Sequence, residues 1–435
     1  MYHKNRIESL YDLITGDEDA RVCKDIPESA CNDQPYSFFV YLGANLLSKV
    51  ADELASARLV LPWLLASLGT PAVFIGFLVP IREAGVLLPQ LVVAAYIRSL
   101  KLRKWVWVGG AGLSGIALVM IALVGMSMEG VIAGWMIVVS LILFSLARGL
   151  CSVSAKDVLG KTVSKSRRGR LMGLASGMAG LATLAIGLYL ELFAGGVEGS
   201  RAAAGLVLLA AVIWLPAMGL FSTIREAPGS TSGGGNALSE AVRSLAILRT
   251  DLDFRRYVIA RIWLLSVALA APFYVLLAEA RTGQSLTGLG MLIIAGAVAG
   301  SVSAPLWGWI GDRSSRVVIA SAAAIAGMLG IATWILEDSP LLEHGLTHAF
   351  IFLILNVAHS GVRLGRKVYL VDLGTLQNRA SMVAVSNTVI GVAMLGVGLV
   401  GVLADFVGIA ELILLLGLLS LIAAGFAWRM PDVSC

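Results

Sequence analysis

Charge is what this 435-residue sequence has least of: 14% of it is Asp, Glu, Lys or Arg, where a soluble domain carries roughly 25%. With 58% of its residues apolar, a water-facing surface is not what the chain is built for. Other absences exclude chemistry. There is no HExxH, no GxSxG and no paired His/Asp cluster at metal spacing, so neither a metal-activated water nor a poised nucleophile is expected, and the chain is not read as an enzyme. The glycines of "GSTSGGGNALSE" lack the Gly-Lys-Ser/Thr ending and flanking strand of a phosphate loop, and no cofactor is expected. Four cysteines, Cys23, Cys31, Cys151 and Cys435, show no zinc spacing and are expected to be unbridged in cytoplasmic or membrane positions. The first 35 residues have no basic start, apolar core and small-residue cleavage site, so no signal peptide is expected.

What is present is a series of apolar runs, each near the 20 residues a helix needs to cross about 30 Å of hydrocarbon. Twelve are expected, at 38–66, 72–97, 105–125, 131–153, 171–194, 202–221, 257–279, 285–310, 317–336, 348–370, 380–402 and 408–428. They are continuous rather than alternating, which favours an all-α membrane protein in a lipid bilayer over a barrel. The net charge of +5 is no argument for nucleic acid, because the cations lie in loops on one side. The segments 98–104, 155–170, 222–256, 311–316 and 363–379 carry 4, 6, 5, 2 and 4 basic residues, against Arg201 and Arg281 on the other side. The positive-inside rule makes the basic side cytoplasmic and puts both termini there, in a bacterial inner (plasma) membrane.

The organisation expected is an acidic cytoplasmic tail over 1–35, a six-helix bundle over 36–221, a linker over 222–256 and a second six-helix bundle over 257–430. The linker holds a short amphipathic pattern, Leu238, Val242, Leu245, Ile247 and Leu248, read as an interfacial helix. A weak repeat runs at a shift of 210 to 216 residues: Pro62 meets Pro272, Pro89 meets Pro305, and Met172 and Ser176 meet Met382 and Ser386. "GWIGDRSSR", with Gly308, Asp312, Arg313 and Arg316, closely resembles the loop signature between the second and third helices of each half in the major facilitator superfamily. Ser315 stands where Gly is usual. The first-half copy, "VVAAYIRSLKLRK", keeps only the basic character of Arg98, Lys101, Arg103 and Lys104. The resemblance implies two six-helix pseudo-repeats and a permease with alternating access. It also implies that Asp312 and its basic neighbours form a gating latch on the cytoplasmic side.

Ionisable groups at mid-bilayer cost at least about 2.5 kcal/mol and default to functional sites or internal pairs. In the first span Asn45, Lys49, Asp52, Glu53 and Ser56 share a stripe about 100° wide on an unbroken helix, with Arg58 nearly opposite. Lys49 is spaced to meet Asp52 or Glu53. The second span has Arg82 and Glu83 at similar depth; Arg148 in the fourth and His359 and Arg363 in the tenth add donors. Arg148 resembles the fourth-helix arginine that the superfamily often uses near its proton path. A carboxylate whose proton affinity depends on a nearby cation is what proton coupling requires, which makes Asp52, Glu53 and Glu83 the candidate carriers. His359 has the intrinsic chemistry to titrate near neutrality. A static ion pair at Lys49, a structural Arg148 and a satisfied buried His359 are the plainer readings beside these. Glu191 reads as a snorkelling surface acid. Gly173 and Gly177, Gly296 and Gly300, and Gly391, Gly396, Gly398 and Gly401 are spaced for close helix packing.

The function expected is secondary active transport of a small-molecule solute by alternating access, with the proton as coupling ion. An uncoupled facilitator and a non-transporting membrane sensor or assembly factor on the same scaffold are the alternatives.

Overall fold

A computed structural model of the chain describes residues 6–15, 26, 28–90, 93, 96, 97, 99–194, 199–229, 245–283, 285–374 and 379–433. The first half consists of α1 (Arg6–Thr15), α2 (Glu28–Asn32), α3 (Gln34–Leu54), α4 (Val60–Ser67), α5 (Ala72–Leu87), α6 (Lys104–Ser127), α7 (Gly130–Thr162), α8 (Lys165–Phe193) and α9 (Ser200–Ser222). The second consists of α10 (Ile247–Thr250), α11 (Leu252–Trp263), α12 (Leu265–Thr282), α13 (Leu286–Gly311), α14 (Ser315–Ile335), α15 (Gly345–Leu373), α16 (Arg379–Val397), α17 (Val400–Val407) and α18 (Ile409–Trp428). Arg98 and the linker residues Leu238 and Val242 lie outside the described residues.

Among the described residues ten helical stretches are long and apolar enough to cross a membrane. The two expected spans that fall short are the two charged ones. The first is broken between α3 and α4, at Ala55 to Leu59. Proline has no N–H, and its ring clashes with the carbonyl four residues back; for Pro62 that carbonyl belongs to Arg58. The chain leaves the helix at Ala55 (φ −116°, ψ 31°) and restarts at Val60, so Pro62 falls in the first turn of α4, where proline is tolerated. The Ser56 hydroxyl accepts the Arg58 N–H at 3.3 Å inside the break. The second span is helical as α5 only to Leu87.

The duplication reappears as repeated hydrogen bonds. The Tyr41 hydroxyl donates to the Ala155 carbonyl at 3.1 Å, and Tyr257 donates to the Arg366 carbonyl at 2.8 Å. Lys49 donates to Ser176 at 3.0 Å, and Arg261 donates to Ser386 at 2.5 Å. In the first half Glu226, after α9, accepts the backbone N–H groups of Arg103 and Lys104 at 2.8 to 3.0 Å and so caps the start of α6. In the second half Asp432, after α18, accepts the Ser314 hydroxyl at 3.1 Å at the start of α14.

The two halves meet on the face opposite the basic loops. Pro71 stands at the N-cap of α5 and has no capping side chain. Asp405, 333 residues away, supplies one, accepting the N–H groups of Ala72 at 2.8 Å and Val73 at 3.1 Å. Backbones approach closely beside it: a Cβ added to Gly76 would sit 2.6 Å from the Cα of Gly401. Likewise a Cβ on Gly290 of α13 would lie 3.1 Å from the Gly187 carbonyl oxygen of α8. A Cβ at Gly173, Gly177 or Gly300 would meet nothing within 4 Å, so these glycines, expected to pack helices together, do not.

The expectation of unbridged cysteines holds for the buried Cys151 and fails for Cys31, which is disulfide-bonded. That expectation rested on compartment, which residue spacing alone does not encode. Cys23 and Cys435 lie outside the described residues.

Candidate functional site

Between the halves lies a cavity of about 410 Å³. The first half lines it with the α3–α4 break and the middle of α5, including Asp52, Glu53, Ser56, Arg58, Arg82 and Glu83. The second half lines it with Gly296 and Gly300 of α13 and with Asn356, His359, Ser360 and Arg363 of α15. Phe352 is the one aromatic side chain among the lining residues, so the site is built of polar and charged groups.

The three carboxylates are treated differently. Asp52 is shared by two arginines: Oδ2 accepts from Arg148 at 2.6 Å and Oδ1 from Arg82 at 3.5 Å. Both guanidinium groups also lie over rings, Arg148 at 4.7 Å from Trp214 and Arg82 at 5.1 Å from Phe144. Glu83 accepts from Arg58 at 3.1 Å. Arg58 reaches across to the second half and donates to Nε2 of His359 at 2.6 Å; a guanidinium has no acceptor, so the imidazole nitrogen must accept. Glu53 exposes its side chain to the cavity, and among the described residues that carboxylate makes no ion pair or hydrogen bond.

Of the nine residues expected to carry transport, Asp52, Glu53, Arg82, Glu83, His359 and Arg363 therefore share one cavity. Arg148 stands behind it on Asp52. Asn45 and Lys49 do not line it. Asn45 turns to the Met172 sulfur at 3.3 Å and Lys49 to Ser176, so the expected pairing of Lys49 with Asp52 or Glu53 is not made. Its repeat counterpart Arg261 makes the same kind of bond to Ser386.

Arg58 was expected on the far side of the helix. The break at Ala55 to Leu59 cancels the angle counted along an unbroken helix and turns Arg58 into the cavity. Two signals point to it in the sequence: Pro62 four residues on, and the general cost of an arginine facing lipid. Arg366, counted in the sequence with the basic segment 363–379, lies within α15, which runs on to Leu373.

Asp312 is exposed and, among the described residues, makes no ion pair. Arg313 lies 4.4 Å from the Trp309 ring. Arg316 pairs with Asp432 at 3.2 Å and donates to the Met430 carbonyl at 3.0 Å. Arg316 thereby ties the signature to the end of its own half, with Asp432 bringing the acid from beyond α18. Lys101, of the degraded first-half copy, has a backbone role, its carbonyl accepting from the Gly229 N–H at 2.9 Å. Arg103 pairs with Asp157, and the Lys104 ammonium donates to the Ser222 and Ile224 carbonyls at 2.8 Å. Glu191 is half-buried at the α8–α13 contact, with Oε2 enclosed and unbonded, rather than snorkelling. Among the described residues no three His, Cys, Asp or Glu side chains are grouped to hold a metal.

A polar cavity between two pseudo-equivalent helical bundles is the architecture of a carrier, and the comparison with known families decides which. Residues 38–333 match the profile of the Major Facilitator Superfamily. The chain belongs to that superfamily. It is thus an integral multi-pass membrane protein and a secondary transporter of a small solute, not an enzyme. Solved superfamily structures share its fold at low identity. A POT family transporter in complex with a thioalcohol-conjugated peptide is 13% identical, with a TM-score of 0.68 over 93% of this chain and 98% of its own. A D-xylose-proton symporter is 16% identical, with a TM-score of 0.65 over 92% and 98%. The nucleoside transporter NupG, as a D323A mutant, is 13% identical, with a TM-score of 0.69 over 90% and 99%. No curated protein sequence matches the chain.

Proposed function

We propose that this superfamily member is a proton-coupled transporter in which Glu53 carries the proton. The observation behind the reading is the difference between Glu53 and its neighbours. Asp52 and Glu83 each give up an arginine bond if protonated. Glu53 faces the cavity with no such bond to lose. A group that gains and sheds a proton during each cycle needs that freedom, together with access to the solute site.

Alternating access then moves the halves about this cavity. The contacts at Asp405, Gly76 and Gly401 close one side, while α8 and α13 separate on the other. The positive-inside rule puts the separated, basic side in the cytoplasm together with both termini, and the membrane is the bacterial inner membrane. The D-xylose-proton symporter among the structural neighbours agrees in kind with proton coupling.

The test is purified full-length protein in liposomes holding a pH-sensitive dye, challenged with lactate, succinate, glycerol 3-phosphate, glucose and choline. A transported solute should move protons with it. Glu53→Gln should abolish uphill movement while sparing exchange. Uphill transport unchanged in Glu53→Gln, Asp52→Asn and Glu83→Gln would sink the reading. Flux that ignores a protonophore would identify an uncoupled facilitator instead.

A further inference from the structure

The charge on the cavity divides unevenly between the halves. All three lining carboxylates belong to the first half, and two are already held by arginine. The second half contributes no acid. Helix α15 instead presents His359, Arg363, Arg366 and Lys367, which at 100° per residue fall on a stripe about 100° wide. The stripe starts in the cavity wall and continues toward the basic face, where exposed Lys156 of α7 lies within electrostatic reach of Lys367.

Arg363 is the informative member. It lines the cavity and is exposed to it. Among the described residues neither it, nor Arg366, nor Lys367 makes an ion pair or a side-chain hydrogen bond. Glu53 faces the same space, yet the two do not pair. A guanidinium left bare at this depth is costly unless something in the cavity answers it. Counting Arg148 behind Asp52 and Arg366 behind Arg363, the cations around the site exceed the carboxylates.

We propose that the transported solute carries an oxyanion, a carboxylate or phosphate group, that Arg363 binds through its planar fork of N–H donors. Arg366, Lys367 and Lys156 draw it in from the basic face. Asn356, Ser360 and Ser56 offer neutral hydrogen bonds to the rest of a hydrophilic molecule. A proton on Glu53 travelling with one anionic charge makes the step electroneutral. The inference rests on the reading of this cavity as the transport site.

The test is saturable thermal stabilisation of the purified full-length protein at constant ionic strength. Lactate, succinate and glycerol 3-phosphate are the oxyanion probes; glucose and choline are the neutral and cationic ones. At least one oxyanion should stabilise the wild type. Its affinity should fall tenfold or more in Arg363→Gln and by less in Arg363→Lys, which keeps the charge and loses the fork. Arg281→Gln, a charge removed on the opposite face where it pairs with Glu337, should change nothing. If Arg363→Gln does not fold, Arg363→Lys and Arg366→Gln decide, each expected to weaken oxyanion binding severalfold. Stabilisation only by glucose or choline, no stabilisation by any oxyanion, or oxyanion binding indifferent to Arg363 and Arg366 would overturn the proposal. An oxyanion bound through Arg363 but never moved across liposomes would overturn the transport reading and leave only the oxyanion site at Arg363 standing. Proton-driven movement of glucose or choline alone would do the reverse.

Discussion

The two walls of the cavity come from two pseudo-equivalent halves, yet they carry opposite chemistry. In the first half the leading helix is broken at Ala55 to Leu59 and brings Asp52, Glu53 and Arg58 to the cavity. In the second half the corresponding pair, α11 and α12, joins with a single-residue step at Leu264. Its residues 210 positions on from Asp52 and Glu53 are Ile262 and Trp263. The charged element that half brings to the cavity is α15, and the charge it presents there is cationic. The scaffold bonds stayed duplicated, Lys49 to Ser176 and Arg261 to Ser386, while the cavity diverged. Pairwise bonds within each half therefore report architecture, and departures from the repeat report function.

The sharpest break of this comparison is Asp52→Asn. It strands Arg82 and Arg148, and the loss of one partner from a largely buried pair costs about 3 kcal/mol; the side chains of Asp52 and Arg148 are 23% and 17% exposed. Thermal unfolding in detergent should show that loss. Glu53→Gln, one residue on, should stay within about 0.5 kcal/mol of wild type, because no ion pair is removed. A smaller effect tests the shared scaffold: Arg261→Met should cost about 2 kcal/mol, and the more exposed Lys49→Met about 1 kcal/mol. In the same measurement neither should move the pH dependence of solute binding. A shifted pH profile in Lys49→Met would return Lys49 to the functional set. A local effect is expected at Asp405→Ala, where loss of the cap across the halves costs about 1 kcal/mol. It should appear as faster thiol labelling of a cysteine placed at Val73. Labelling no faster than in the Val73→Cys parent would mean that this cap does not hold the halves together.

Much of this architecture was legible in the chain. Apolar runs marked the spans, the shared prolines marked the repeat, and the cost of burying charge singled out six residues that now share one cavity. The orientation of Arg58 was not, because counting angles assumes an unbroken helix, and Pro62 removes that assumption through the Arg58 carbonyl. The partner of Lys49 was missed for a different reason. Spacings of three and four made Asp52 and Glu53 the local choice, whereas Ser176 lies 127 residues away. The Asp405 cap spans 333 residues and joins two halves, a contact no local pattern contains. Arg366 was passed over because it was counted with the basic segment 363–379, whereas α15 carries it and continues to Leu373.

The central claim is that the carboxylate without an arginine takes the proton. Infrared difference spectra of the purified protein across a pH step read carboxyl protonation directly and need no knowledge of the solute. The account predicts a carboxylic-acid carbonyl band in wild type that persists in Asp52→Asn and Glu83→Gln and disappears in Glu53→Gln. A band that survives Glu53→Gln and vanishes with Asp52 or Glu83 would contradict it.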